Sequence, residues 1–200
     1  MVNVNLIIRR ALAVVLLSML SLGFLSISAA PKKQVQKIKV ACVGNSITYG
    51  TGIEDREHFS YPVQLQKMLG EKYQVGNFGK PGATLLNHGH RPYMQQEEFK
   101  EAMAFKGDIA VIHLGINDTD PRNWPNYRDE FVKDYLSLMD SLRSANPKVR
   151  FILARMTPIA DRHPRFISGT KLWHGEIQEA IQTVARVSGA ELIDFHAPLY

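Results

Sequence analysis

The stretch Ile38-Lys39-Val40-Ala41-Cys42-Val43-Gly44-Asn45-Ser46-Ile47-Thr48 joins an apolar run to a small polar loop. A continuous β-rich apolar run describes a strand buried on both faces, the signature of a parallel sheet. A strand that stops at Gly-Asn-Ser presents a serine hydroxyl at the carboxyl end of the sheet, where open α/β folds carry out chemistry. The stretch therefore nominates Ser46 as a nucleophile.

Four more strand candidates follow: Tyr73–Phe78, Asp108–Leu114, Val149–Met156 and Ala190–Phe195. Between the strands lie helix-period segments at Tyr61–Leu69, Pro92–Phe105, Tyr127–Ala145 and Lys171–Val187. In the third of these, Phe131, Tyr135, Leu138 and Leu142 recur at steps of three and four, which buries one helical face. Glycine and proline mark the joins, at Gly79-Lys80-Pro81-Gly82, Asn146-Pro147 and Ser188-Gly189. Strand alternating with helix implies right-handed crossovers and a three-layer α/β/α sandwich around a five-stranded parallel sheet of flavodoxin-like type. No internal repeat, low-complexity tract or interdomain linker interrupts residues 38–200.

Composition fits one such domain: 45% hydrophobic and 22% charged residues in 200. Residues 1–30 differ. Arg9 and Arg10 precede a long apolar stretch that ends in the small residues Ser28, Ala29 and Ala30, the layout of a secretory signal peptide. An uncleaved anchor is the competing reading, since the stretch approaches the roughly 20 residues that span a bilayer. Cleavage predicts an exported chain, periplasmic or extracellular, with 31–37 as a lead-in and no stable membrane span. It also takes the formal charge of +5 to +3, with 22 Lys+Arg left against 19 Asp+Glu. Such a balance gives no reason to expect a nucleic-acid partner. The single cysteine, Cys42, excludes an internal disulfide and reads as a small core residue.

Function in this fold gathers just after the strands. Gly44-Asn45-Ser46 follows the first, Asn77-Phe78-Gly79-Lys80-Pro81-Gly82 the second and Gly115-Ile116-Asn117-Asp118 the third. Acyl transfer by serine needs a nucleophile and donors aimed at the oxygen that becomes negative. Ser46 can attack, and the backbone N–H groups of Ser46 and Gly79 with the side-chain amide of Asn117 can serve as donors. A glycine at 79 lets backbone approach substrate closely.

These three blocks resemble the first three sequence blocks of the SGNH (GDSL-type) hydrolases. The resemblance implies the roles of nucleophile for Ser46 and oxyanion donors for Gly79 and Asn117, and covers the chain from about Ile38 onward. Asn45 departs from the aspartate common in the first block, at a position that supports the loop rather than reacting. A larger departure concerns the family's late Asp-x-x-His, whose histidine activates the serine and whose aspartate orients it. Asp161-Arg162-His163 and Asp194-Phe195-His196 have the wrong spacing for it. The expectation is that these residues form an N-terminal portion of the enzyme, lacking the final helix and weak or inactive alone, with a second esterase domain downstream.

Gly115–Trp124 and Arg155–Ile159 are similar to the SGNH domains of bacterial sialate O-acetylesterases. The reading is thus a serine esterase that removes acetyl or another short acyl group from a small acylated carbohydrate, with no metal and no organic cofactor. Alternatives are a non-catalytic carbohydrate-binding domain on the same fold, or a lysophospholipase or thioesterase.

Other residues carry weaker signals. His88 and His90, with His58 or His163, lack the spacing of a zinc site. Gly44, Gly50 and Gly52 form neither a dinucleotide fingerprint nor a P-loop. His113 is expected inside the third strand, hydrogen-bonded in the core. His174 and His196 are the nearest stand-ins for the absent base, and Arg91, Trp124 and Arg155 lie where a sugar could touch them.

Overall fold

The computed structural model describes residues 36–159 and 170–199. The signal-peptide reading of 1–30, most of the lead-in and Asp161-Arg162-His163 lie outside them. In chain order the elements are β1 (Ile38–Gly44), α1 (Ser46–Tyr49), α2 (Arg56–Phe59), α3 (Tyr61–Leu69) and β2 (Tyr73–Gly79). They continue with α4 (Glu97–Phe105), β3 (Ile109–His113), α5 (Trp124–Tyr127), α6 (Phe131–Ala145), β4 (Arg150–Arg155), α7 (Thr170–Ser188) and β5 (Glu191–Asp194).

All five strands are parallel, in the order β2-β1-β3-β4-β5. The order reverses at β1, so the crevice between the carboxyl ends of β1 and β3 is the switch point at which such sheets bind ligands. Register brings the strand ends level there, with Gly44 of β1 opposite Gly79 of β2 on one side and His113 of β3 on the other.

The two faces of the sheet are covered unequally. Ala41, Val43, Ala110, Ile112, Phe151 and Leu153 point to one face, where they meet the apolar stripes of α4, α6 and α7. The stripe of α6 is the one its spacing predicts, with Phe131, Tyr135, Leu138 and Leu142 all buried. Val40, Cys42 and Val111 point to the other face, which α3 covers through Tyr61, Leu65 and Leu69. Beside α3 an apolar groove of about 520 Å³ runs over β1, β3, β4 and β5, past Met68, Ile152 and Ile193. Burial on both faces therefore holds at the centre of β1 and β3 and fails for β5, where Glu191, Leu192 and Asp194 are exposed. Among the described residues, no helix is long and apolar enough to cross a membrane.

Two helix expectations need correction. The segment Pro92–Phe105 is a 3-10 turn, Tyr93–Gln95, followed by α4, because Gln96 is extended (φ −90°, ψ 159°) and caps the second piece. The segment that was expected to start at Tyr127 is three pieces: Tyr127 ends α5, Arg128–Glu130 is a 3-10 turn, and α6 begins at Phe131.

Candidate active site

Ser46 opens α1, a single turn set directly on the end of β1. A Cβ on Gly44 would lie 2.0 Å from Thr48 Oγ1 and 2.9 Å from the His113 carbonyl oxygen, so only glycine lets the chain fold over its own strand here. Asn45 caps the turn: its Oδ1 accepts the Ile47 N–H at 3.0 Å. A carboxylate would cap equally well, so asparagine in place of aspartate leaves the loop geometry intact. Gly50, at φ 94°, ends the turn. Ser46 is half-buried at this rim, and neither its hydroxyl nor its N–H is hydrogen-bonded among the described residues.

The loop after β2 leans on α1. The Lys80 N–H donates to the Gly44 carbonyl at 2.9 Å. Gly79 is fully packed, and a Cβ there would lie 2.1 Å from the Tyr49 backbone nitrogen. Its N–H donates to Asn77 Oδ1 at 3.0 Å, so it is engaged within its own strand end. Three residues on, Gly82 adopts φ 78°, and its N–H has no partner among the described residues. Gly82 is a second glycine of the same loop, at a turn that needs the left-handed region.

After β3, Gly115 at φ 121° breaks the strand into the 3-10 turn Ile116–Thr119. Its own Cβ would lie 2.9 Å from Ile177 Cγ2 and Met156 Sδ, which again requires glycine. Asn117 on this turn donates from Nδ2 to the Ala83 carbonyl at 2.8 Å, tying the third loop to the second beside Gly82. Its carbonyl accepts Asn123 Nδ2 at 2.9 Å, and Asn123 Oδ1 accepts the His90 N–H at 3.0 Å. A carboxamide carries two N–H donors, so Asn117 retains one beyond its bond to Ala83.

The histidines divide by environment. His113 is buried with both ring nitrogens unpartnered, which corrects the expectation of a hydrogen-bonded core residue. It points to the apolar side of the sheet, its ring 5.4 Å from that of Phe195, and burial pushes its pKa down to about 4. His174, on α7, shares a hydrogen bond with the Thr157 carbonyl at 3.0 Å, and burial holds its pKa below the ordinary value. His196 follows β5, its ring 5.4 Å from that of His174. The Asp194 carboxylate accepts the backbone N–H groups of His196 and Ala197 and pairs with Arg155 at 2.9 Å.

The remaining candidates have local partners. His88 pairs with Glu130 at 2.7 Å, and the imidazole of His90 lies against the Asn123 carboxamide. Among the described residues, no group of three or more His, Cys, Asp or Glu is placed to hold a metal ion. Trp124 is buried against Phe131 and donates to Glu176, so it is a core residue. Arg91 is exposed and holds the Pro81 carbonyl at 3.1 Å, beside Gly82.

The sequence profile of the GDSL-like Lipase/Acylhydrolase family matches residues 42–200. An acetylxylan esterase of Xylanibacter ruminicola is 40% identical over 187 residues, which cover 84% of this chain and 38% of that protein. The chain thus spans well under half the length of this curated relative. Three solved structures share the fold at low identity. An acetyl xylan esterase, AlAXEase, has a TM-score of 0.60 at 19% identity, covering 81% of this chain and 79% of its own. The M. smegmatis aryl esterase gives 0.57 at 18%, over 80% and 84%. AlinE4, an SGNH-hydrolase family esterase, gives 0.57 at 18%, over 80% and 77%.

Proposed function

Because the chain belongs to the GDSL-like lipase/acylhydrolase family, we propose that it is a serine esterase that removes acetyl groups from the hydroxyls of a carbohydrate. The observation that carries the reading is the meeting of three strand-end loops at the switch point, with the Ser46 hydroxyl, unpartnered among the described residues, on one and the mutually bonded Asn117 and Ala83 on the others.

In this reading Ser46 Oγ adds to the ester carbonyl carbon as its proton passes to a base. The carbonyl oxygen becomes an oxyanion that receives the N–H groups of Ser46 and Gly82 and the second N–H of Asn117. Collapse expels the sugar hydroxyl, which takes the proton, and leaves acetyl-Ser46. Water then attacks the acyl-enzyme, releasing acetate and restoring the serine. Gly79 serves the close packing of β2 on α1, since its own N–H is held by Asn77. In the family's chemistry the base is a histidine oriented by a carboxylate. His113 is unsuited, being buried on the apolar side of the sheet, and no described histidine is hydrogen-bonded to Ser46.

The acetylxylan esterase relative supports acetylated xylan as the first substrate to test. The likeness of Gly115–Trp124 to sialate O-acetylesterases makes O-acetylated sialic acid the second. The same relative, with the apolar stretch at 1–30, supports export from the cell.

Acetate release from acetylated xylan oligosaccharides, O-acetyl sialic acid and 4-nitrophenyl acetate, measured beside Ser46→Ala, tests the proposal. The expected result is hydrolysis that falls at least about 10³-fold in the variant. Equal rates in the two proteins would remove Ser46 from its role, and sugar binding without acetate release would favour a carbohydrate-binding domain.

A further inference from the structure

We propose that Asp118 is a positioning residue for the oxyanion donors, its carboxylate holding the loop that carries Gly82 against the turn that carries Asn117. The inference rests on the esterase reading and adds to it a residue that touches no substrate.

Asp118 follows Asn117 in the 3-10 turn and is fully buried. Its Oδ2 accepts the Leu85 N–H and its Oδ1 the Leu86 N–H, both at 2.9 Å. The next amide along, Asn87 N–H, goes to Asp134 Oδ2 on α6 at 2.8 Å. Three successive backbone donors of one loop are therefore taken by two carboxylates from other elements. Just ahead of them, before Thr84, lie Gly82, whose N–H has no partner among the described residues, and Ala83, whose carbonyl receives Asn117 Nδ2. Asp118 thus grips one side of the loop while its chain neighbour Asn117 grips the other.

Burying a carboxylate is costly unless hydrogen bonds compensate. The partners here are backbone N–H groups, and the ionisable side chain that acts on Asp118 among the described residues is Asp134, a like charge. Packing alone would be served at lower cost by an apolar side chain. Two converging N–H donors, however, need two accepting oxygens, and a carboxylate supplies both. Asparagine would turn an NH₂ group toward one of the donors. The consequence is a rigid frame in which Gly82 and Asn117 are set before charge develops on the substrate. Donors fixed in this way contribute about 10²–10³-fold each to such reactions.

The frame responds to pH in a defined direction. Burial, reinforced by Asp134 and opposed by the backbone bonds, pushes the Asp118 carboxyl up to about 7. Protonation turns one accepting oxygen into an O–H, so one of the two loop amides is released and the registry of Gly82 with Asn117 loosens. The ionised form is the one that positions the donors, and acid disables it.

The test follows the Asn117 side-chain amide and the Leu85 and Leu86 backbone amides of the 15N-labelled protein by NMR from pH 5 to 9, alongside kinetics on 4-nitrophenyl acetate. All three signals are expected to titrate together with a midpoint near 7. Asp134→Asn removes the like charge and should move that midpoint to lower pH, and the pH profile of kcat should move with it, which a merely structural carboxylate would not produce. Asp118→Asn should abolish the titration and lower kcat about 100-fold or more, with KM changed less than threefold. The proposal is overturned if the Asn117 amide does not titrate with Leu85 and Leu86, or if Asp118→Asn keeps kcat within threefold. Should Asp118→Asn not fold, the wild-type and Asp134→Asn titrations decide the matter. The NMR signals need no turnover, so coupled titration in a protein that hydrolyses nothing would sink the esterase reading and leave the frame standing.

Discussion

Asn117 has two separable jobs, and their magnitudes differ enough to tell them apart. Its bond to the Ala83 carbonyl is a neutral hydrogen bond in a half-buried setting, worth about 1 kcal/mol to the fold. In the proposed esterase its second N–H would donate to the developing oxyanion, a contribution of about 10²–10³-fold in rate. Asn117→Ala should therefore lower kcat by two to three orders of magnitude while the melting temperature falls by only a few degrees, as calorimetry and steady-state kinetics would show. A melting loss without a rate loss would confine Asn117 to loop structure. The placement of Ser46 and Asn117 was legible in the sequence, since each follows an apolar strand in a short polar loop. Gly79 and Gly82 were not separable there, since both are glycines in one loop. What separates them is the Asn77 side chain taking the N–H two residues on, in an Asx turn.

At the scale of elements, α6 shows the pattern that sequence reads best. Its buried residues recur at helical spacing, and Leu138 is buried against the sheet face that α4 and α7 share. Leu138→Ala should cost about 2–5 kcal/mol in urea unfolding, through lost apolar burial and the cavity left behind. Met68 on α3 is 84% exposed, so Met68→Ala should stay within about 0.5 kcal/mol. Equal effects would mean that the two faces of the sheet are not covered as described. The break at Gln96 and the turns before Phe131 were hidden from sequence for a physical reason. Local propensity continues through both sites, while the backbone leaves helical geometry at Gln96 (φ −90°, ψ 159°) and at Tyr127 (φ −131°, ψ 10°), a departure that no helix-period pattern encodes.

For the whole molecule, unequal covering of the sheet sets the pH response. His113 sits on the thinly covered side with no hydrogen bond, and its pKa, lowered to about 4 against an ordinary 6.5, makes the fold lose stability as pH falls through that window. Asp118, raised to about 7, acts oppositely: its contribution to stability is present at low pH and is lost as pH rises toward 7. His113→Leu removes the first effect alone. The variant should lose about 2 kcal/mol less than the parent when urea unfolding is compared at pH 7 and pH 5. An unchanged difference would mean that His113 is solvated or hydrogen-bonded in solution. The parallel sheet was foreseeable from alternating strands and helices, whereas the exposure of β5 was not, because Glu191-Leu192-Ile193-Asp194 does not reveal what packs on it. Incubation with diethyl 4-nitrophenyl phosphate followed by peptide mass spectrometry should find one diethylphosphoryl adduct, on the peptide containing Ser46, and none in Ser46→Ala. An adduct on another residue, or no adduct on the parent protein, would contradict the assignment of Ser46 as the nucleophile.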